Sequence, residues 1–236
     1  MEPTVIVPTW LDVGATAVGG VEGALFALRK NQRSDGPQFD PMGVGVIALV
    51  MALGGGVTRD VLLNLTPAAL TNSAYLMTAL LAAFAGVLLG RAVAKVTFLL
   101  VAFDAAAMGT FMVVGLLKAE RAGLDWFAAV IVGVIAGTAG GVIRDILAGE
   151  PLPDLLQPGT LAGQAAVLGA VTFVGLAAVG VPSPASDIIA ASVTVVVRML
   201  SLRFGWQTAP VRAPGLELPR LLRRRSPPDR PTRQNE

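Results

Sequence analysis

Two segments of the chain join a run of glycines to an adjacent arginine and aspartate. The segment at 54–62, GGGVTRDVL, returns at 139–147 as AGGVIRDIL, and each copy lies near the end of a long apolar run. An interrupted helix presents carbonyl and amide groups that bind an ion or a zwitterion. Charged residues at membrane depth are costly and mark mainly pathways or substrate sites. The repeated motif therefore favours transport chemistry.

The glycines of this motif have two interpretations. Glycine in a membrane helix often allows close packing of a neighbouring helix. Three adjacent residues point in different directions, however, and do not all serve one contact face. Glycine also costs about 1 kcal/mol relative to alanine inside a helix. We therefore predict that the glycines of the motif break or kink their helices; they are Gly54, Gly55, Gly56, Gly140 and Gly141.

The charges that follow the glycines need partners elsewhere. Adjacent helical residues do not face each other, so we predict that neither Arg59–Asp60 nor Arg144–Asp145 is a self-contained ion pair. The candidate partners lie in other apolar segments; they are Asp12, Asp104 and Glu22. Such pairs either fix the fold or leave the arginines lining a pore, and both interpretations stay open.

Composition excludes several classes of protein. The 236 residues are 54% hydrophobic and 14% charged, with a mean hydropathy of +0.69, whereas soluble domains carry about 25% charged residues. The chain has no cysteine and no histidine, which removes the thiolate and imidazole ligands of metal sites and the commonest general base. We expect no enzyme, no metal site, no cofactor and no nucleic-acid partner.

Seven apolar windows are long enough to span a membrane. They lie at roughly 10–28, 42–63, 73–91, 97–117, 126–147, 161–180 and 187–204. The sequence therefore predicts an all-α integral membrane protein with a membrane domain at 1–204. Residues 205–236 are rich in arginine and proline and are predicted to be a disordered cytoplasmic tail.

The windows repeat as a unit of three. Asp40 precedes Arg59 by 19 residues, and Asp125 precedes Arg144 by the same distance. Repeat one covers about 10–91, repeat two about 97–180, and the seventh helix about 187–204. Because each unit has an odd number of spans, the two copies enter the membrane from opposite sides and form an inverted repeat. Glu22 aligns with Val114 and so stands outside the repeat.

Positive charges predict the orientation. Three basic groups fall on one side of a seven-span chain: Arg29, Lys30 and Arg33; Arg91 and Lys95; and Arg203 with the tail. The positive-inside rule assigns this side to the cytoplasm, which leaves the N-terminus outside and the C-terminus inside. We expect a plasma or inner membrane, with anionic lipid near Arg223, Arg224 and Arg225.

These motifs together resemble the prokaryotic TRIC-type proteins, the trimeric intracellular cation channels, and the related bacterial proteins described as glycine transporters. The resemblance covers about residues 10–204. It implies a homotrimer with a potassium-permeable pore inside each protomer, lined by the second and fifth spans. The resemblance further implies that the motif glycines line this pore and that the motif charges flank it: Gly54, Gly55, Gly56, Gly140 and Gly141, with Arg59, Asp60, Arg144 and Asp145. It equally admits a glycine transporter. We also expect protomer contacts on spans three, six and seven, through small residues: Ala82, Ala83, Gly86, Gly163, Ala166 and Gly169.

Overall fold

A computed structural model describes residues 9–33, 38–93, 97–157 and 161–206. Within these ranges the structure is all-helical, with the following elements: α1 (Thr9–Arg33), α2 (Pro41–Leu62), α3 (Ala68–Thr71), α4 (Ser73–Val93), α5 (Thr97–Arg121), α6 (Trp126–Leu147), a 3-10 turn (Asp154–Leu156), α7 (Ala162–Ala178) and α8 (Ala185–Phe204). Lys95 and most of the predicted tail, including Arg223, Arg224 and Arg225, lie outside the described residues.

The predicted all-α membrane fold is confirmed. The seven predicted spans correspond to α1, α2, α4, α5, α6, α7 and α8. Six of these are long and apolar enough to cross a membrane, and α7 is a shorter apolar helix of 17 residues. In the first repeat α1 packs against α2 and α4, and in the second α5 packs against α6 and α7. The units meet where α2 crosses α6 and α1 crosses α5, while α8 packs against α5 and α7.

The repeated helices begin and end in the same way. Asp40 caps α2 by accepting from the Gly43 amide at 2.7 Å, and Asp125 caps α6 by accepting from the Ala128 amide at 2.9 Å. Such caps satisfy amide groups that have no partner within the helix. Both helices end before a residue with positive φ, 54° at Asn64 and 68° at Gly149. The duplication thus extends from sequence to local geometry.

The predicted break of the helices at the glycines is wrong, whereas the predicted kink stays a prediction. Helices α2 and α6 continue without interruption through Gly54–Gly56 and Gly140–Gly141. A Cβ on Gly54 would lie 3.2 Å from the Gly140 Cα atom, and one on Gly55 would overlap the carbonyl oxygen of Ala136. The close approach of the two helices offsets the poor helix propensity of glycine, so packing explains these residues without a break.

The small residues of α4 and α7 serve packing inside the protomer. Ala82, Ala83 and Ala166 are buried, and a Cβ on Gly86 would lie 2.6 Å from the Ala24 Cβ atom. Gly163 packs against Leu155, and Gly169 against Thr194. Burial inside the protomer removes Ala82, Ala83, Gly86, Ala166 and Gly169 from the predicted protomer contacts. That spans three, six and seven supply the contact faces stays a prediction. The exposed face of α4 carries large apolar side chains instead: Leu76, Met77, Leu80, Leu81 and Phe84.

Candidate functional site

Four charged residues and a tyrosine form the first charge cluster: Asp12, Arg59, Asp60, Tyr75 and Lys118. Arg59 donates to the two carboxylate oxygens of Asp12 at 3.1 and 3.0 Å. Lys118 Nζ lies 3.0 Å from Asp60 Oδ1 and 3.3 Å from Asp12 Oδ2. Tyr75 donates its hydroxyl to Asp12 Oδ2 at 3.2 Å. Two carboxylates face two cations, so the cluster is formally neutral.

The arginine and the two aspartates of the first cluster are almost fully buried, and Lys118 lies at its partly exposed edge. Arg59, Asp12 and Asp60 are 1%, 2% and 1% exposed. The remaining oxygen of Asp60 accepts from the Ala68 amide at 2.9 Å, so every carboxylate oxygen of the cluster has a partner. The adjoining cavity measures about 10 Å³, which leaves room for about one water molecule. A buried ionic network with no unsatisfied group holds its elements in a single arrangement.

The second charge cluster forms around the other arginine and contains Glu22, Asp104, Arg144, Asp145, Asp154 and Arg198. Arg144 Nη1 donates to Glu22 Oε1 at 2.5 Å and lies 3.5 Å from Asp104 Oδ1. The Arg144 guanidinium carbon also lies 4.3 Å from the centre of the Phe26 ring, a cation–π contact. Four carboxylates face two guanidinium groups, so these six residues carry a formal charge of −2.

The second cluster joins the loop after α6 to the seventh helix. Arg198 pairs with Asp154 in the 3-10 turn and lies 3.6 Å from Asp104 Oδ2. The Asp154 amide donates to Asp145 Oδ2 at 2.8 Å. Nearer the end of α1, Lys30 pairs with Glu150 at 2.7 Å. Arg198 of α8 thereby connects the seventh predicted span to the second repeat.

The second cluster opens into a cavity of about 260 Å³. Glu22, Asp104, Arg144 and Arg198 line it, with Arg29 among the other lining residues. Among the described residues, Glu22 Oε2 and the Nε and Nη1 groups of Arg198 have no hydrogen-bond partner. A larger apolar groove of about 610 Å³ beside α5 and α8 contains no residue of either cluster. Polar chemistry in the described protein therefore concentrates in the smaller cavity.

Helices α1 and α5 each contribute to both clusters. Asp12 of α1 aligns with Asp104 of α5, and each contacts the arginine of its own repeat. Further along these helices, Lys118 of α5 reaches the first cluster, whereas the aligned Phe26 of α1 contacts the arginine of the second. The carboxylate of Glu22 has Val114 as its counterpart. These two exchanges, Lys118 for Phe26 and Glu22 for Val114, account for the difference in formal charge between the two clusters.

The adjacent arginine and aspartate of each motif contact each other, but neither pair is self-contained, as the sequence predicted. Arg59 Nε donates to Asp60 Oδ1 at 2.8 Å, and Arg144 Nε donates to Asp145 Oδ1 at 2.9 Å. A long arginine side chain reaches its neighbour by bending along the helix surface. The side chain folds back over the preceding turn, where a Cβ on Gly56 would be in ordinary van der Waals contact with Arg59 Nη2 at 3.7 Å.

The structure brings the three candidate partners to the arginines. Asp12 contacts Arg59, while Asp104 and Glu22 contact Arg144. Sequence reasoning missed four members of the clusters: Tyr75, Lys118, Asp154 and Arg198. Arg198 could have been found from the sequence, because it is a charged residue inside an apolar helix. Asp154 lies in a connecting loop, where no sequence pattern indicates a role in the cluster.

Comparison with known proteins identifies relatives over most of the chain. A family model described as glycine transporter matches residues 9–91 and again residues 101–178. The UPF0126 inner membrane protein YadS of Escherichia coli K12 is 30% identical over 197 residues, which cover 83% of this chain and 91% of that protein. The double match coincides with the two repeats.

Two solved structures have the same fold. One chain, from work on the structural basis for conductance through TRIC cation channels, gives a TM-score of 0.74 at 29% identity and covers 89% of this chain and 100% of its own. The TRIC trimeric intracellular cation channel orthologue from Rhodobacter sphaeroides gives 0.75 at 30% identity, covering 84% and 98%. The fold is therefore shared with proteins described as trimeric cation channels.

Proposed function

The chain belongs to the family described as glycine transporter and has the fold of the TRIC channels, and from this premise we propose that it is a potassium-permeable cation channel. One pathway runs through each protomer of a homotrimer. The observation that carries this proposal is the second charge cluster, a buried group of carboxylates in excess over guanidinium groups beside a cavity of about 260 Å³. A negative cavity concentrates cations at the mouth of a narrow path.

The proposed pathway narrows from the second cluster towards the first. Beyond the cavity of the second cluster lies a space of about 20 Å³ lined by Gly137, Thr138 and Gly141. The cavity at the first cluster measures about 10 Å³. These volumes support a closed conformation. The glycine crossing of α2 and α6 lies between the clusters, which supports the assignment of these two helices as pore-lining.

The buried arginines do not oppose cation flow in this proposal. Arg59 is neutralised by Asp12 and Asp60, and Arg144 contacts Glu22, Asp104 and Asp145. A paired guanidinium presents far less positive field to a passing ion than a bare one. The remaining cation of the first cluster, Lys118, is likewise held between two carboxylates.

A glycine transporter is the second candidate. The cavity of the second cluster contains an acceptor without a partner, Glu22 Oε2, and donors without a partner on Arg198. An ammonium group suits the first and a carboxylate the second, so a small zwitterion would satisfy both. This complementarity and the family description are the observations that support a glycine transporter as the second candidate.

Planar-bilayer recording of the purified protein in asymmetric KCl separates the two candidates. A channel gives unitary current steps and a reversal potential near the potassium equilibrium potential. A carrier gives no unitary steps, and its flux saturates with glycine. Because Gly45 has open space around it, Gly45→Ala is a matched control for variants in the glycine crossing. Saturable glycine flux without unitary currents would refute the channel.

We also propose that the first cluster lies at the outer face of the inner membrane and the second at the cytoplasmic face. The chain has no cysteine, so a single introduced cysteine is a unique label site. Leu65→Cys, in the exposed loop after α2, is expected to react with an impermeant maleimide in spheroplasts. Leu152→Cys, in the exposed loop after α6, is expected to react only after lysis. The reverse pattern would invert the orientation.

Assembly and lipid binding are separate parts of the proposal. Native mass spectrometry from mild detergent is expected to give three copies per particle, and a conducting monomer would contradict the trimer.

We propose that Arg223, Arg224 and Arg225 contact anionic lipid from the cytoplasm. Their joint substitution by glutamine is expected to weaken binding to phosphatidylserine vesicles while leaving conductance intact.

A further inference from the structure

Glu22 is the buried carboxylate whose charge the protein leaves incompletely compensated. It is 3% exposed. Its Oε1 atom accepts from Arg144 at 2.5 Å, while Oε2 has no partner among the described residues and the side chain lines the cavity of the second cluster. A buried carboxylate oxygen that loses water without gaining a partner is strongly unfavourable. A cation in the cavity would supply the missing partner for this oxygen.

The charges around Glu22 favour a cation as this partner. Arg144 is shared by Glu22, Asp104 and Asp145. Asp104 makes only long contacts, 3.5 Å to Arg144 and 3.6 Å to Arg198, and its side chain is 15% exposed. One guanidinium group does not neutralise three carboxylates, so Glu22 and Asp104 keep negative charge towards the cavity.

Other cations near the cavity do not reverse this balance. Arg198 pairs with Asp154, and Lys30 pairs with Glu150. Arg29 also lines the cavity and has an interaction of its own. With Lys30 included, five carboxylates face four basic groups around this space: Glu22, Asp104, Asp145, Glu150 and Asp154 against Arg29, Lys30, Arg144 and Arg198. A single positive charge would balance the set.

We infer that Glu22 Oε2 and Asp104 bind one monovalent alkali cation in this cavity, and that Glu22 determines the cation preference of the pathway. Tight divalent sites use six or more oxygen ligands or near-octahedral geometry, and the described residues contain no group of three acidic side chains arranged to hold a metal ion. One free carboxylate oxygen with water suits an ion that dehydrates easily. The inference deepens the proposed channel function and rests on it.

The inverted repeat supplies an internal comparison. At the position aligned with Glu22, the second repeat has Val114, which is fully buried in the core. The first cluster, where an equivalent carboxylate would lie, is formally neutral and has a partner for every carboxylate oxygen. The cation site therefore occurs once in each protomer, at the open end of the pathway.

Thermal unfolding of the full-length protein in detergent tests binding without conduction. We expect Tm to rise when N-methyl-D-glucamine chloride is replaced by KCl or RbCl at constant ionic strength, because a bound ion stabilises the folded state. Glu22→Gln keeps the size of the side chain and an acceptor for Arg144, and is expected to abolish the rise. Glu120→Gln removes a carboxylate from α5 outside both clusters and is expected to preserve it.

The outcomes separate this inference from its premise. An equal potassium-dependent rise in Glu22→Gln, no rise in the unsubstituted protein, or a rise with glycine alone would each overturn the cation site. If Glu22→Gln does not fold, Asp104→Asn replaces it in the test and is expected to reduce the potassium-dependent rise in Tm.

In bilayers, Glu22→Gln is expected to move the reversal potential towards zero. An unchanged reversal potential in a conducting variant rejects the inference and leaves the channel standing, whereas an unsubstituted protein that binds potassium without conducting rejects the channel.

Discussion

The first and second charge clusters use the same arginine–aspartate pair at the ends of aligned helices, but they differ in charge and in access. In the first cluster, Arg59 and Lys118 balance Asp12 and Asp60 in a space of about 10 Å³. The second cluster carries four carboxylates and two guanidinium groups beside about 260 Å³. A duplicated scaffold thus holds a closed, neutral network at one end and an open, negative one at the other.

The difference arises at positions outside the duplicated motif. Lys118 aligns with Phe26, so the first cluster gains a cation where the second gains an aromatic ring. Glu22 aligns with Val114, so the second cluster gains a carboxylate where the first has a core side chain. The repeated residues place the guanidinium groups, and the unique residues determine the charge around them.

The largest expected effect tests how strongly the first cluster depends on complete pairing. Asp12→Ala leaves buried Arg59 without its two-point partner, and breaking a buried pair costs roughly 3–5 kcal/mol. Asp104→Ala removes longer contacts at a partly exposed site and is expected to cost roughly 1.5–3 kcal/mol. Reversible unfolding in detergent measures both free energies.

The double variant Asp12→Ala/Arg59→Met is the control for that prediction. Removing the stranded charge is expected to recover part of the lost stability, because the remaining residues no longer surround an unpaired cation. Equal losses for Asp12→Ala and Asp104→Ala would erase the energetic difference between the clusters.

The helix crossing between the clusters has its own asymmetry. A Cβ on Gly55 overlaps the Ala136 carbonyl oxygen, whereas one on Gly140 lies 3.2 Å from the Met51 carbonyl oxygen. Gly55→Ala is therefore expected to cost about 1–3 kcal/mol through overpacking, and Gly140→Ala less. Unfolding of the two variants beside Gly45→Ala, which has no atom within 4 Å, measures the difference. A loss at Gly45 as large as at Gly55 would remove the packing explanation.

A third prediction makes the first cluster resemble the second. Lys118→Met removes a cation that is 18% exposed and leaves a formal charge of −1. Because the ammonium group is partly hydrated and Arg59 still contacts both aspartates, we expect a loss of only about 1 kcal/mol. The measurement is Tm at low and high salt, with a smaller loss at high salt. A loss as large as that of Asp12→Ala would make Lys118, and not Arg59, the centre of the cluster.

The smallest effect is expected at the rim of the open cavity. Lys30 and Glu150 are 22% and 30% exposed in their side chains, and such pairs contribute about 0–1 kcal/mol. Glu150→Gln is expected to change the unfolding free energy by less than about 1 kcal/mol in the same assay. A larger loss would show that this pair holds the loop after α6.

The sequence predicted the spans, the duplication and the partners of the arginines because each follows from periodicity or from the cost of a charge in an apolar helix. The predicted helix break at Gly54 and Gly55 was wrong. Local helix propensity favours a break there, but close packing against α6 stabilises a continuous helix. The sequence correctly predicted that Arg59 and Asp60 have partners elsewhere in the fold. It did not anticipate that the long Arg59 side chain also reaches Asp60. Asp154 was unpredictable, since its partners are fixed only when α8 docks.

The loops after α2 and α6 each attach to a cluster through a main-chain amide. Asp60 accepts from the amide of Ala68, eight residues later, and Asp145 from that of Asp154, nine residues later. An amide is present at nearly every position whatever the side chain. This attachment therefore sets no requirement on the side chain of the residue that supplies the amide. The same contact to the motif aspartate forms across a loop of eight residues at one end of the protomer and of nine at the other.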